Sequence, residues 1–151
     1  MRATIDYLSN KASVEQLAEH LTNCGSDFVP PLHERVRITD YANKISSKAM
    51  RFEAWSGNVL VGLVAAYFNE MDERIAYITS VSVLLDWTGV GIAGQLMNQC
   101  IEHAKATSMR RLSLEVATDN TQAIRLYETK GFVARAARVP FVCMTLDLSS
   151  G

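Results

Sequence analysis

One stretch limits the folds open to this chain more than any other: Val81 to Leu96, V-S-V-L-L-D-W-T-G-V-G-I-A-G-Q-L, which reads as a strand running into the start of a helix. Val81, Val83, Leu84 and Leu85 are strand-forming residues, and Asp86 to Thr88 interrupt the apolar run. Gly89, Gly91 and Gly94 then open a helix whose Ile92, Leu96, Cys100, Ile101 and Ala104 share one face. Glycines without Cβ atoms let a ligand come close to the main chain, and the first turn of a helix presents unpaired N–H groups and the positive end of its dipole. An anion, most often a phosphate, is the guest that suits such a turn. Counted from Gly89 to about Ser108, the helix would be about 30 Å long.

Taken alone, Gly89, Gly91 and Gly94 spell G-x-G-x-x-G, the dinucleotide-binding fingerprint. Glu115 ends a strand-like run about 20 residues further on, where an acid would bind the ribose of NAD or FAD. Dinucleotide domains repeat βαβ units and carry the fingerprint in the first of them. This turn stands past the middle of the chain, behind a half that reads as hairpins.

Ala3 to Leu8 alternates and predicts an opening strand. Ser13 and Gln16 form a capping-box pair ahead of Leu17, Ala18 and Leu21, which predicts a helix from Ser13 to about Cys24, closed by Gly25. Adjacent prolines make Ser26 to Arg37 the least regular segment, after which Thr39 is placed to cap a second helix, Asp40 to about Ser47. Met50 to Trp55, a Ser56-Gly57-Asn58 turn and Val59 to Phe68 predict a hairpin whose second arm, V-L-V-G-L-V-A-A-Y-F, is apolar enough to be covered on both faces. Asn69 to Arg74 is a polar turn, and Ile75 to Leu85 returns as the strand that feeds the glycines. Beyond the helix, Leu112, Leu114 and Val116 alternate with Arg111, Ser113 and Glu115 as a strand with one buried face. Thr118 or Asp119 can cap a further helix in which Ala123, Leu126 and Tyr127 share a face and which Lys130-Gly131 closes. Phe132 to Ala137 and Phe141 to Leu148 predict two last strands.

Two blocks of this chain resemble the GCN5-related N-acetyltransferase (GNAT) superfamily, and together they reach from Ile78 to Phe132. Thr88, Gly89, Val90, Gly91, Ile92 and Ala93 match the family's (Q/R)-x-x-G-x-(G/A), with Thr88 standing where a long polar side chain is expected. L-E-V-A-T-D-N-T-Q-A-I-R-L-Y-E-T-K-G-F, Leu114 to Phe132, is similar to its strand, Asn, helix, Tyr and Gly-Phe sequence. The resemblance implies an α/β (α+β) fold in a single domain, 1–151. Its mixed sheet would have six to seven strands and about four helices, with the central strands parallel and splayed. It implies an N-acetyltransferase that takes acetyl-CoA as co-substrate, needs no metal, and passes the acetyl group to a primary amine of a small molecule or peptide by direct attack in a ternary complex.

By the same resemblance, main-chain amides from about Thr88 to Gly94 cradle the pyrophosphate. The pantetheine arm pairs with the edge Val81, Ser82 and Val83 as an added strand, with the Val81 amide facing the oxyanion. Asn120 and Ala123 contact the pantetheine, and Tyr127, four residues before Gly-Phe, protonates the leaving thiolate. Glu115 matches the glutamate of L-E-V that acts as base in relatives acetylating a ribosomal-protein N-terminus. The catalytic glutamate of histone-acetylating relatives falls on Thr79, which cannot take a proton, so water relayed by Thr79 or Ser80 is the other route. Phe28, Leu32, His33 and Tyr41, in the region that lies over the family's acceptor pocket, are candidate acceptor contacts, while Glu70, Asp72 and Glu73 sit in the polar turn. Residue type alone leaves plainer readings open: Asn120 as a helix-start residue, Tyr127 as a core aromatic and Glu115 as a salt-bridge partner.

Composition narrows the setting. Fifteen basic residues against sixteen acidic, with no basic block, argue against nucleic acid and against an anionic membrane surface as partners. No apolar run approaches the roughly 20 residues that span a bilayer, and the first residues lack a signal-peptide core, so the cytoplasm is expected. Cys24, Cys100 and Cys143 read as small buried hydrophobes rather than a disulfide framework, a zinc site or a covalent acyl relay. The apolar last strand would suit the edge of a homodimer. Two other readings stay open, a coenzyme A-binding sensor of the same fold without turnover and an NAD- or FAD-binding domain.

Overall fold

The computed structural model describes residues 4–24, 37–68 and 72–148. Along them run β1 (Asp6–Ser9), α1 (Val14–Cys24), α2 (Ile38–Lys48), β2 (Met50–Ser56), β3 (Val59–Tyr67) and β4 (Ile75–Val83). A short 3₁₀ turn (Leu85–Trp87) leads to α3 (Ile92–Ala106), β5 (Arg111–Ala117), α4 (Thr121–Thr129), β6 (Val133–Arg138) and β7 (Phe141–Asp147). The strands form one sheet in the order β1-β2-β3-β4-β5-β7-β6. Every neighbouring pair is antiparallel except β4 and β5. This is the mixed sheet with a parallel centre that the sequence predicts, and among the described residues it lacks the repeated βαβ units of a dinucleotide domain.

Local chemistry explains most element starts. Ser13 and Gln16 close their capping box, Gln16 Oε1 accepting from the Ser13 amide at 2.9 Å and Ser13 Oγ from the Gln16 amide at 3.1 Å. Gly57 turns the β2–β3 hairpin at φ +59. β3 is buried along nearly its whole length because it is covered on both faces. Leu60, Leu63 and Ala65 pack with Leu17, Leu21, Ala42 and Ile45 of α1 and α2. Val61, Val64 and Ala66 pack on the other side with Ile92, Leu96 and Cys100 of α3. Gly62 is small for a reason: a Cβ there would meet Ile92 Cγ2 at 2.6 Å and Leu96 Cδ1 at 3.2 Å. The glycine lets the first turn of α3 sit tightly on the sheet.

Several boundaries differ from the sequence-based expectation. β1 begins at Asp6, after Thr4 and Ile5, and Ala3 lies outside the described residues. Arg37 stands at the N-cap of α2 without a side-chain bond, so Thr39 lies inside the first turn instead of capping it. α3 begins at Ile92, not Gly89, because Gly89 and Gly91 hold φ +79 and +88, which right-handed helix excludes. Its fifteen residues span about 22 Å. Asn120, not Thr118 or Asp119, caps α4, its Oδ1 accepting from the Ala123 amide at 3.2 Å.

The last strand is not an edge. β7 lies between β5 and β6, and the edge is β6, whose six residues are all exposed. The more apolar of the two final strands, F-V-C-M-T-L-D against V-A-R-A-A-R, takes the interior position. Glu53, fully buried, also had no signal in the sequence. Its carboxylate accepts from the amides of Lys11 and Ala12, from Arg51 Nε at 3.1 Å and from Trp55 Nε1 at 3.1 Å, which ties β2 to the start of α1. Among the described residues no helix is long and apolar enough to cross a membrane.

Candidate active site

The parallel strands pair only from Ile75 to Ile78 on β4 and from Arg111 to Leu114 on β5, although β4 runs on to Val83 and β5 to Ala117. Past Ile78 the strands part and leave two unpaired main-chain edges. On its other side β4 slips in register against β3, with Ala66 facing Ile78 but Ala65 facing Ser80, so Thr79 is the extra residue of a β-bulge.

A cleft of about 730 Å³ occupies the parting. Its strand walls are Val81, Ser82 and Val83 on β4 and Glu115 on β5. Thr88, Gly89, Gly91, Ile92, Ala93 and Gly94 close one end, and Asn120, Ala123 and Tyr127 of α4 complete it. Of the residues singled out from the sequence as cofactor-binding or catalytic, Val90 alone does not line the cleft and is exposed instead. A second hollow of about 530 Å³, beside Asn10, Lys48, Arg51 and Phe68, contains none of them.

The glycine turn is built for anions. A Cβ on Gly89 or Gly91 would meet nothing within 4 Å, so these positions need glycine for their left-handed backbone and not for space. The first amide used within α3 is that of Gln95, donating to Gly91 O at 3.0 Å, which leaves the amides of Ile92, Ala93 and Gly94 unpaired at the helix start. Thr88 is different. Its amide and its hydroxyl both donate to Leu85 O, at 3.2 and 2.8 Å, closing the 3₁₀ turn, so its donors are taken up inside the chain. Gly94 would place a Cβ no closer than 3.8 Å to Leu126 Cδ1 and Lys130 Nζ, ordinary contact. The third glycine therefore does not serve the close helix packing that the dinucleotide fingerprint requires of it.

Tyr127 is 6% exposed and packs its ring against Phe132 at 5.9 Å between centroids. Burial pushes its phenol up to about 12. It faces the α3 side with Leu114 and Val116 of β5, members of the same core. Glu115 alternates with those two and so projects from the opposite face, where it is exposed and its Oε2 lies 3.9 Å from Arg138 Nη1. The cleft thus passes through the sheet, with a buried phenol on one side and a carboxylate on the other. Because Asn120 Oδ1 caps α4, the Nδ2 amide is the part of that side chain left to face a ligand.

Ser80, Ser82 and the bulged Thr79 look toward α1 and α2. Tyr41 does not turn outward as an acceptor contact: its Oη donates to Thr79 O at 2.8 Å and lies 2.8 Å from Thr79 Oγ1. Burial outweighs the hydrogen bond from Thr79 and raises the Tyr41 phenol to about 12. Ser80, 3% exposed, has no hydrogen-bond partner for its Oγ. His20 was missed in the sequence, where its only mark is a place on the apolar face of α1 between Leu17 and Leu21. It is 2% exposed, with Nδ1 2.8 Å from Leu60 O and Nε2 2.8 Å from Ser82 Oγ, and burial lowers its pKa. The neutral ring accordingly donates from Nδ1 to the carbonyl and accepts the Ser82 hydroxyl at Nε2. Asp72 and Glu73 are exposed in a turn, while Phe28, Leu32, His33 and Glu70 lie outside the described residues.

Comparison with known proteins agrees with this geometry. The family model described as "Acetyltransferase (GNAT) family" matches residues 14–132. An uncharacterized N-acetyltransferase, YsnE of Bacillus subtilis, is 29% identical over 134 residues, 87% of this chain and 85% of that protein. Mycothiol acetyltransferase of Geodermatophilus obscurus is 30% identical over 92 residues, 58% of this chain, and the match spans only 30% of that longer protein. Among solved structures, yncA of Salmonella typhimurium, determined with its cofactor acetyl-CoA, superposes with a TM-score of 0.76 at 14% identity, covering 97% of this chain and 95% of that one.

Proposed function

The chain belongs to the acetyltransferase (GNAT) family, and from that premise we propose that it transfers the acetyl group of acetyl-CoA to a primary amine. The observation that carries the reading is the parting of β4 and β5 after Ile78 and Leu114, which opens two strand edges onto a cleft ended by the glycine turn. A pantetheine arm has amide groups that can pair with such an edge as an added strand, and a pyrophosphate suits the unpaired amides from Gly89 to Gly94. The chemistry of the donor set therefore fits acetyl-CoA as co-substrate.

Val81, Ser82 and Val83 hold the arm in this reading, with the Val81 amide donating to the oxyanion, while Asn120 and Ala123 border it from α4. The amine nitrogen attacks the thioester carbonyl carbon; a C–N bond forms, the C–S bond breaks, and the sulfur leaves as thiolate. Tyr127, still protonated at neutral pH because its pKa is about 12, gives the thiolate its proton. The amine loses one proton to Glu115 on the far side of the sheet, directly or through water held near Thr79 and Ser80, so the proton count balances. The acceptor is a small molecule or peptide, reached by direct attack in a ternary complex, and the proposed setting is the cytoplasm.

The test is thermal unfolding with acetyl-CoA, coenzyme A, NAD and FAD in parallel. Ligand at ~100 times its dissociation constant adds about 2.7 kcal/mol of stability. Stabilisation by both coenzyme A species alone, followed by thiol release with an amine from a screened panel, is the expected result. Stabilisation without thiol release for any amine would favour a sensor. No shift with either species would overturn the reading.

A further inference from the structure

We propose that Tyr41 is a positioning residue: its phenol clamps the bulged Thr79 to α2 and thereby sets which way every residue of β4 beyond the bulge faces. The inference rests on the reading of the cleft as an acetyl-CoA site. The extra residue of a bulge has no partner in the ladder, and a buried carbonyl left without one is costly. Tyr41 supplies that partner. Its Oη donates to Thr79 O at 2.8 Å and accepts from Thr79 Oγ1 at 2.8 Å, so the carbonyl and the hydroxyl of the inserted residue are held by one side chain. Ile45, one turn further along α2, is fully buried against β3 and seats the helix that carries the clamp.

The consequence for the cleft follows from register. With Thr79 bulged, Ser80 and Ser82 stand opposite Ala65 and Leu63, residues of the α1–α2 core, while Val81 and Val83 stand opposite Val64 and Gly62, under α3. A slip of one residue exchanges the two sets. Ser80 and Ser82 would then be pressed toward Ile92 and Leu96, and the main-chain edge along the cleft would present different amides. His20 secures the same outcome from α1 by accepting the Ser82 hydroxyl. Tyr41 is therefore a device for orientation, acting through Thr79 and touching no substrate.

Amide hydrogen exchange and coenzyme A affinity would be measured for the wild type, Tyr41→Phe and Thr79→Ser. In Tyr41→Phe, amides of residues 79–83 should exchange about tenfold or more faster without ligand, as befits loss of both hydrogen bonds made by the phenol, while those of β2 and β5 keep their rates. The coenzyme A dissociation constant should rise by about the same factor, and Thr79→Ser, which keeps the hydroxyl that Tyr41 holds, should leave the exchange of residues 79–83 at its wild-type rate. Unchanged exchange at residues 79–83, or acceleration spread evenly over the sheet, would overturn the proposal, as would affinity equal to that of the wild type. If the wild type binds no coenzyme A, the functional reading fails and the exchange rates alone decide whether Tyr41 holds the bulge.

Discussion

Ile78 and Leu114 are the last residues at which β4 and β5 pair; beyond them the strands separate, and the space between becomes the cleft. The proposed acetyl transfer depends on that parting. It exposes main-chain edges to a ligand and brings Tyr127 and Glu115, on opposite faces of the sheet, into one cavity.

Tyr127→Phe removes the phenol hydroxyl proposed to protonate the leaving thiolate while keeping the ring against Phe132. The expected outcome is a fall in kcat of about 10²–10⁴-fold with coenzyme A affinity little changed. Steady-state kinetics of thiol release, with a parallel binding titration, would check it; unaltered kcat would assign the tyrosine to packing alone.

Glu115→Gln keeps the shape of an exposed side chain and removes its charge. As base it should lower kcat/KM for the amine by about 10²-fold or more, with no effect on coenzyme A binding. A kcat/KM equal to that of the wild type would hand the proton to the water route by Thr79 and Ser80.

Two of the three glycines should behave differently. Gly91→Ala forces φ +88 on a residue with a Cβ, at a cost of roughly 1–2 kcal/mol, and should weaken coenzyme A binding because the amides at the helix start are re-aimed. Gly94→Ala adds a Cβ with room around it inside a helix and should stabilise the protein by roughly 0.5–1 kcal/mol. Denaturant unfolding and a binding titration of both variants would separate the two roles.

Alkaline pH should unfold the protein through its buried phenols. Tyr41 and Tyr127 are raised from 10.0 to about 12, so below pH 10 both states hold the proton. Between pH 10 and 12 the unfolded chain releases protons that the folded chain keeps, and stability falls as pH rises, by about 1.4 kcal/mol per unit for each group. Cys100, raised from 9.0 to about 12, adds to the same slope from a lower pH. Urea titrations at stepped pH would measure the slope, which Tyr127→Phe and Tyr41→Phe should each make shallower.

Much of this was legible in the residues because it is local. The capping box of Ser13 and Gln16 and the turn at Gly57 concern neighbours in the chain, and short-range sterics decide them. The glycine turn before Ile92 is another such case, although Gly89 and Gly91 also shortened the predicted helix, since their left-handed backbone stands ahead of it. The spacing that places Ala123, Leu126 and Tyr127 on one face of α4 is equally local. The order of a meander before one crossover follows from those elements and their loop lengths.

The sequence by itself determined the elements, the glycine turn and the family's two motifs, since each depends on residues a few places apart. Tertiary structure alone decided how β4 is seated. Nothing near Thr79 in the chain marks it as a bulge, because the extra residue is defined against β3, the parting against β5, and the clamp by Tyr41 on α2. The burial of His20 against Ser82 and the interior place of β7 have the same origin. Side chains alternate along a strand, so one inserted residue reverses every facing beyond it, and only the partners across the sheet and above it fix where that reversal falls.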